Sequence, residues 1–219
     1  MSARSWNPLA MTLLVVVTLV ACEPAPPPGG AGDPAETPAD AAPVEGAISA
    51  GPVIRPDGIG AARRGMAVGE LRRALSPGTV LGPVAPFMVD IDAAPVVAGA
   101  DTLYRVLFSG LDSIDDSLPL ELLATEHPAA RTAEGVGPGV TLAEAAAIYG
   151  PATLSYNVHD ESREYAAFAS QPDGLRFRVR PASDDAFFAG TYPAPGEYAA
   201  TTTYDPSAVI WMVMVDLMP

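Results

Sequence analysis

The stretch Val209-Ile210-Trp211-Met212-Val213-Met214-Val215 is apolar at every position. This pattern indicates where the segment lies in the fold. A strand with one face in water alternates apolar and polar residues, whereas a strand covered on both faces is apolar throughout. We therefore expect residues 209–216 to form a central strand of a sheet, with other parts of the protein packed on both sides.

A hairpin is predicted upstream of this strand. Residues 164–169 and 175–180 read as strands, and between them lies Gln171-Pro172-Asp173-Gly174, whose Pro, Asp and Gly favour a tight turn. Residues 182–207, which follow the hairpin, fit no strand or helix pattern and are expected to form a loop insertion.

Two segments resemble each other further upstream, Gly58–Leu75 and Gly135–Gly150. Each begins with a Gly-x-Gly turn and continues into a short apolar stretch that contains one Glu. The first predicts a helix from about Ala67 to Leu75. In the second, Thr141 and Glu144 have the spacing of a capping box, and Gly150 is expected to end the helix.

Strands are also predicted at 87–92, 103–109 and 118–124 after the first helix, and at 152–158 after the second. A helix followed by antiparallel strands, twice over, predicts the α+β class. We expect one domain over 51–219, built from two helix-plus-strand units at about 51–125 and 126–219.

The two glycine–helix motifs are similar to those of small envelope-lipoprotein modules of the SmpA/OmlA type and of the β-lactamase-inhibitor-like fold. Ala67 replaces the usual Thr in the first copy, and Val140 replaces Met in the second. The segment Thr132-Ala133-Glu134-Gly135-Val136-Gly137 also resembles one found in many uncharacterised bacterial lipoproteins. The resemblance implies a binding or scaffolding module and assigns no catalytic residue.

Composition excludes several kinds of chemistry. The chain has 219 residues and a net charge of −14, and its 12 basic residues are all Arg. Without Lys there is no lysine Schiff base and no Walker-type phosphate lysine. Its acidity also makes nucleic acid an unfavourable partner, because phosphate backbones are repelled.

The N-terminus has the pattern of an export signal. Arg4 precedes the apolar run Leu9–Val20, which as a helix would be about 18 Å long and too short for a bilayer core of about 30 Å. Leu19-Val20-Ala21-Cys22 then resembles the lipobox of bacterial lipoproteins. The resemblance implies that residues 1–21 are a signal peptide, that the thiol of Cys22 carries diacylglycerol, and that Cys22 becomes the first residue.

The lipid would hold the protein on a membrane of the cell envelope without crossing it. We expect the periplasmic side of the outer membrane in a Gram-negative cell, although Glu23 after the cysteine leaves the choice of membrane open. Residues 22–50 comprise the lipidated Cys22 and a linker in which 7 Pro, 4 Gly and 8 Ala fill most of 28 positions. Such a linker buries too little apolar surface to fold, so we expect disorder.

The most distinctive candidate site is an arginine stripe. Leu175-Arg176-Phe177-Arg178-Val179-Arg180 alternates strictly, so the apolar residues face a core and Arg176, Arg178 and Arg180 share the opposite face. Three arginines on an acidic domain would bind a carboxylate or phosphate bidentately. The alternative is that they pair with neighbouring acids such as Glu164, Asp90 or Asp92.

Metal and catalytic signals are weaker. Asp112, Asp115 and Asp116 form an acidic turn that would offer oxygen ligands to calcium, but the spacing matches no EF-hand loop. The sequence contains no nucleophile-elbow, zinc-protease or Ser-x-x-Lys motif. We therefore predict no metal, no cofactor and no catalytic residue.

These patterns predict a membrane-anchored envelope lipoprotein whose domain interacts with another protein or serves as a scaffold. The alternative is a sensor domain for a small ligand or ion, with the arginine stripe or the acidic turn as its site.

Overall fold

The computed structural model describes residues 51–110, 113–194 and 196–218. Cys22, the predicted signal peptide 1–21 and the linker 22–50 lie outside the described residues. Within the described ranges the chain forms two short α-helices, α1 (Val68–Ala74) and α2 (Leu142–Tyr149), and a larger number of strands. Neither helix is long and apolar enough to cross a membrane.

Most strands belong to one large antiparallel sheet. Those before α2 are β4 (Thr79–Leu81), β5 (Ala85–Met88), β6 (Ile91–Ala98), β7 (Asp101–Phe108) and β8 (Leu122–Thr125). Those after α2 are β9 (Ala152–Asn157), β10 (Arg163–Phe168), β11 (Leu175–Arg180), β12 (Tyr198–Thr201) and β13 (Val209–Asp216). A separate small sheet contains β1 (Ile54–Arg55), β2 (Gly58–Ile59) and β3 (Ala62–Arg63).

The large sheet is continuous from one end of the domain to the other. Its strand order is β12-β9-β10-β11-β13-β8-β7-β6-β4, and β5 pairs with β6 beside β4. The last strand, β13, lies between β11 and β8, with Phe177 opposite Val213 on one side and Val213 opposite Thr125 on the other. The apolar stretch 209–216 is therefore the central strand that its composition predicts.

The predicted α+β class with two helix-plus-strand units is wrong. The fold is mostly antiparallel sheet, with ten strands in one sheet and two helices of 7 and 8 residues. The prediction failed because it treated each short helix as half of a unit. Pairing of β13 with β8 merges all the strands into a single sheet, and the helices are minor additions to one of its faces.

One face of the sheet, called here the helix face, carries the main core. Val68 and Leu71 of α1 and Leu142 and Tyr149 of α2 are buried there against the sheet, together with Phe177. The capping of α2 is as predicted: Thr141 Oγ1 accepts from the Glu144 N–H, Glu144 accepts from the Thr141 N–H, and Gly150 follows with positive φ.

The other face is called the hairpin face, because the β5–β6 hairpin folds back over it. Asp90, in the turn of that hairpin, contacts Arg163 at the start of β10, with 2.5 Å between Oδ1 and Nη2. Four strands separate β6 from β10 in the sheet order, so this contact requires the sheet to curl, as sheets of this size commonly do. A small second cluster lies beneath, with Ala93, Leu107, Ala124, Met212 and Met214 buried.

Other local predictions differ in outcome. The hairpin of 164–169 and 175–180 is confirmed as β10 and β11, and Gly174 in its turn has φ +82°. The strand predicted at 87–92 is wrong, because this segment spans the turn between β5 and β6. The loop predicted at 182–207 contains β12, which pairs with β9 at the edge of the sheet.

The Thr132–Gly137 segment is part of the packing around α2. Thr132 Oγ1 accepts from the Val136 N–H, and the hydroxyl of Tyr149 donates to Glu134 over 2.8 Å. That hydrogen bond lowers the pKa of Glu134. A Cβ on Gly137 would lie 2.0 Å from the carbonyl oxygen of Ala130, so close backbone approach requires glycine there.

Candidate functional site

Strand β11 presents the arginine stripe as its alternation predicts. Leu175, Phe177 and Val179 are buried in the core of the helix face. The arginines between them therefore project on the hairpin face, where Arg176 and Arg180 are exposed and Arg178 is half-buried.

The structure divides the three arginines between two sites. The guanidinium of Arg176 lies 4.9 Å from the ring centroid of Tyr165 and borders a small cavity of about 160 Å³ with Glu121 and Asp216. Arg178 and Arg180 border a different, larger depression at the start of β10 and the end of β11. The stripe is therefore not one continuous anion site.

That larger depression has a volume of about 380 Å³ and is called here the Trp211 groove. Its lining combines three arginines, a hydroxyl and three aromatic rings, with two glutamates at one side. The charged, polar and aromatic lining residues are Glu161, Ser162, Arg163, Glu164, Arg178, Arg180, Phe187, Phe188 and Trp211. Among the described lining residues, no His lies beside the Ser162 hydroxyl. The arginines of the lining are groups that bind an anion.

Trp211 owes its position to an irregularity in β13. Arg178 pairs with Met212 and Val179 pairs with Ile210, which leaves Trp211 as the extra residue of a β-bulge. Bulges commonly re-aim a side chain next to a functional site. Here the bulge places the indole 4.7 Å from the guanidinium of Arg178, as measured to the ring centroid.

Arg178 is positioned by contacts that leave its charge unpaired. Its Nη1 donates to Sδ of Met88 over 3.2 Å, and its face lies on Trp211. None of the ion pairs that the structure shows among the described residues involves Arg176, Arg178 or Arg180. Burial lowers the pKa of Arg178, the direction expected for a cation that has lost solvent without gaining a carboxylate contact.

Two of the acids proposed as alternative partners are engaged elsewhere. Asp90 binds Arg163, and the hydrogen bond from this guanidinium lowers the pKa of Asp90. Glu164 is buried on the helix face and accepts from the N–H groups of Ala189 and Gly190 and from the hydroxyl of Tyr192. These three hydrogen bonds fix the aromatic loop that forms one wall of the groove.

Arg163 contrasts with its neighbours on β11. Its side chain is only 3% exposed, and it contacts three carboxylates, those of Asp90, Asp160 and Glu161. This cluster fixes the start of β10 to the β5–β6 hairpin. It also orders the rim of the groove, since Glu161 borders the groove directly.

The same rim contains unusual backbone. Glu161 and Ser162 are consecutive non-glycine residues with φ of 52° and 54°, a region that L-residues rarely occupy. Such conformations persist only where surrounding contacts enforce them, and they are concentrated at binding and active sites. The contact between Glu161 and Arg163 supplies that enforcement here.

The acidic turn is used within the protein. Asp115 Oδ1 accepts from the N–H and hydroxyl of Ser117, and Asp116 lies 3.2 Å from Nε of Arg72. Asp112 lies outside the described residues. In the described ranges, no three His, Cys, Asp or Glu side chains are grouped closely enough to hold a metal ion.

Sequence reasoning identified Arg178 and Arg180 but missed the aromatic side of the groove. The sequence predicts a regular strand at Trp211, because a bulge has no sequence signature of its own. It predicts a loop at Phe187 and Phe188, although two adjacent aromatic residues in an acidic loop are a usable signal of a binding surface. Their rings are 4.7 Å apart, and Phe188 stacks on Tyr156 at 4.4 Å.

Comparison of the chain with protein-family models, with curated proteins and with solved structures finds no match. The roles discussed below are therefore argued from this chain's own residues.

Proposed function

We propose that this chain is a lipid-anchored protein of the cell envelope, held on the membrane through Cys22, whose domain binds an acidic group of a partner protein in the Trp211 groove. The anchor rests on Leu19-Val20-Ala21-Cys22, and the outer membrane is the expected site. The observation that supports binding is that Arg178 and Arg180 border one groove with three aromatic rings, while neither belongs to an ion pair of the described residues.

Electrostatics favour an anionic ligand at this groove. Stacking on an indole leaves the N–H edge of a guanidinium available, and that edge matches a carboxylate in a bidentate arrangement. Arg180 follows two residues later on the same face of the strand, about 7 Å away along the chain. One acidic group near both cations would gain charge-assisted hydrogen bonds in a partly desolvated place.

The shape and composition of the site favour a protein partner. The groove is open, and Phe187 at its rim is 79% exposed. Protein interfaces are enriched in aromatic residues and Arg, which this rim supplies. A second candidate function, a sensor for a small anionic ligand, is favoured by the volume of about 380 Å³, which lies in the usual range for small-molecule sites.

The chain offers a direct optical test. Its two tryptophans are Trp6 and Trp211. Trp6 is lost wherever the proposed signal peptide 1–21 is removed, and Trp6→Phe makes Trp211 the only indole of any uncleaved chain as well. Full-length protein with this change, in non-ionic detergent, would be titrated with acetyl-Phe-Ser-Asp-Ser-amide, with its Asn twin, and with benzoate. We expect the Asp peptide to change Trp211 fluorescence and to bind about tenfold more tightly than the Asn peptide.

Variants of the stripe give matched controls. Arg178→Gln and Arg180→Gln should each weaken binding of the Asp peptide about tenfold, and Arg176→Gln should leave it unchanged because Arg176 borders a different cavity. Equal binding of the Asp and Asn peptides would contradict the proposal. Benzoate binding as tightly as the Asp peptide would favour the small-ligand function instead.

A further inference from the structure

A second depression adjoins the Trp211 groove beneath the β5–β6 hairpin. This hairpin cleft has a volume of about 610 Å³, and the hairpin residues Pro86, Phe87, Met88 and Val89 form one wall of it. The opposite wall is made of Glu161, Arg178 and Trp211, and all three also line the Trp211 groove. The two depressions therefore meet at the Arg178–Trp211 stack.

The outer ends of this combined surface are apolar. Val89, in the turn of the hairpin, is 88% exposed, and Phe187, on the far wall of the groove, is 79% exposed. Large apolar side chains this exposed leave surface that a partner would remove from water. The charged centre thus lies between two apolar ends.

The hairpin is held in place before any partner binds. Asp90 is bound to Arg163, Met88 accepts from Arg178, and the guanidinium of Arg105 lies 4.6 Å from the ring centroid of Phe87. Binding to a preorganised surface avoids the entropic cost of ordering it. The cleft is therefore a formed part of the surface.

Net charge limits what the centre can accept. Residues 51–219 carry 11 Arg and 21 acidic residues, a net charge of −10. A polyanion would be repelled by this field, whereas a ligand with one or two negative charges gains locally from Arg178 and Arg180. Most of its remaining contact surface must then be apolar.

We infer that the ligand is an extended segment of a partner protein that places one acidic side chain at Arg178 and Arg180 and a large apolar side chain on either side, one against Val89 in the hairpin cleft and one against Phe187 in the Trp211 groove. This inference rests on the proposed function and specifies its partner. An extended chain advances by about 3.3 Å per residue, so a short segment is long enough to reach both depressions.

The test uses peptides of constant charge. Acetylated, amidated peptides with a central Asp carry a Leu at each end, separated from Asp by one, two or three Ser, and each has a twin with Ser in place of both Leu. They are titrated into full-length Trp6→Phe protein and followed by Trp211 fluorescence. For at least one spacing, we expect the Leu peptide to bind about tenfold more tightly than its Ser twin.

Two substitutions test where the two Leu residues of the peptide bind. Val89→Ser and Phe187→Ser should each weaken that Leu peptide about fivefold and leave its Ser twin unchanged. Val80→Ser is the matched control, since Val80 is also exposed, at 57%, but lies in β4 outside both depressions.

The outcomes separate the two proposals. If Arg178→Gln weakens every peptide while Val89→Ser and Phe187→Ser change none, the site binds a compact anion and the extended-segment inference is wrong. If Arg178→Gln also has no effect, both proposals are wrong. If Val80→Ser weakens the Leu peptide as much as Val89→Ser does, the peptide lies elsewhere and the inference is overturned.

Discussion

The two faces of the sheet are built from the same strands but are closed in different ways. On the helix face, Phe177, Val213 and Val215 belong to a continuous apolar core that also includes both helices. On the hairpin face, the buried apolar cluster has five residues, and closure depends on a few contacts between long side chains of the sheet and the β5–β6 hairpin.

This contrast indicates that the helix face provides most of the stability and that the hairpin face provides the binding surface. Apolar burial is non-directional and accumulates with area, so the continuous core of the helix face supplies most of the stability. Closure by a few polar and stacking contacts covers less area. It leaves grooves between those contacts, with charged groups at their rims.

The comparison would be tested most strongly at Phe177. Phe177→Ala removes a fully buried ring from the helix face and should lower the free energy of unfolding by about 3–5 kcal/mol. Arg176→Ala, one residue earlier on the hairpin face, should change it by less than about 0.5 kcal/mol. Urea denaturation followed by Trp211 fluorescence measures both, and similar losses for the two variants would refute the division between faces.

A smaller loss is expected at Arg163, a buried cation of the hairpin face. Arg163→Met removes the partner of three carboxylates and should cost about 2 kcal/mol of unfolding free energy. This is less than the roughly 3–5 kcal/mol for a fully buried pair, because the acids retain access to water. Arg180→Gln is the control and should be nearly neutral. If Arg163→Met leaves the free energy of unfolding unchanged, the β5–β6 hairpin does not need these ion pairs to stay in place.

The smallest effect concerns pH. Arg163 lowers the pKa of Asp90 from its ordinary value of 3.8, so the folded state gains from ionised Asp90 above that value. The gain is lost as pH falls through the lower folded pKa. Asp90→Asn should therefore flatten the acid side of the stability curve slightly, since Asp90 is 61% exposed and well screened.

The pH effect can be separated from other titrations by a double variant. Urea midpoints would be recorded from neutral pH to about pH 2 for the parent protein, for Asp90→Asn, and for both in the Arg163→Met background. Asp90→Asn should lose its effect once Arg163 is absent. An unchanged effect in that background would assign the acid sensitivity to a different partner of Asp90.

Features of the fold that depend on interactions between residues a few positions apart were predictable from the sequence. The β10–β11 hairpin follows from its turn residues and from the alternation in Leu175–Arg180, and α2 follows from Thr141, Glu144 and Gly150. Each of these depends on residues a few positions apart. Their local energetics therefore agree with the final fold.

Strand β6 illustrates what local patterns conceal. Its sequence contains Pro95, which lacks the N–H of a ladder donor and argues against a strand. In the structure Pro95 faces the interruption between β4 and β5, where its carbonyl accepts from the Gly82 N–H over 2.7 Å. The gap between β4 and β5 leaves no strand residue that needs the missing N–H, so the proline is acceptable there.

The alternation of the arginine stripe, the buried central strand 209–216, the capped helix α2 and the acidic charge of the domain follow from the sequence, because period, capping chemistry and charge are properties of neighbouring residues. Three features needed the folded chain: one sheet contains ten of the strands, the sheet curls until Asp90 contacts Arg163, and a bulge turns Trp211 towards Arg178. Those features arise from pairing between distant strands, whose register depends on packing across the whole sheet rather than on any local pattern.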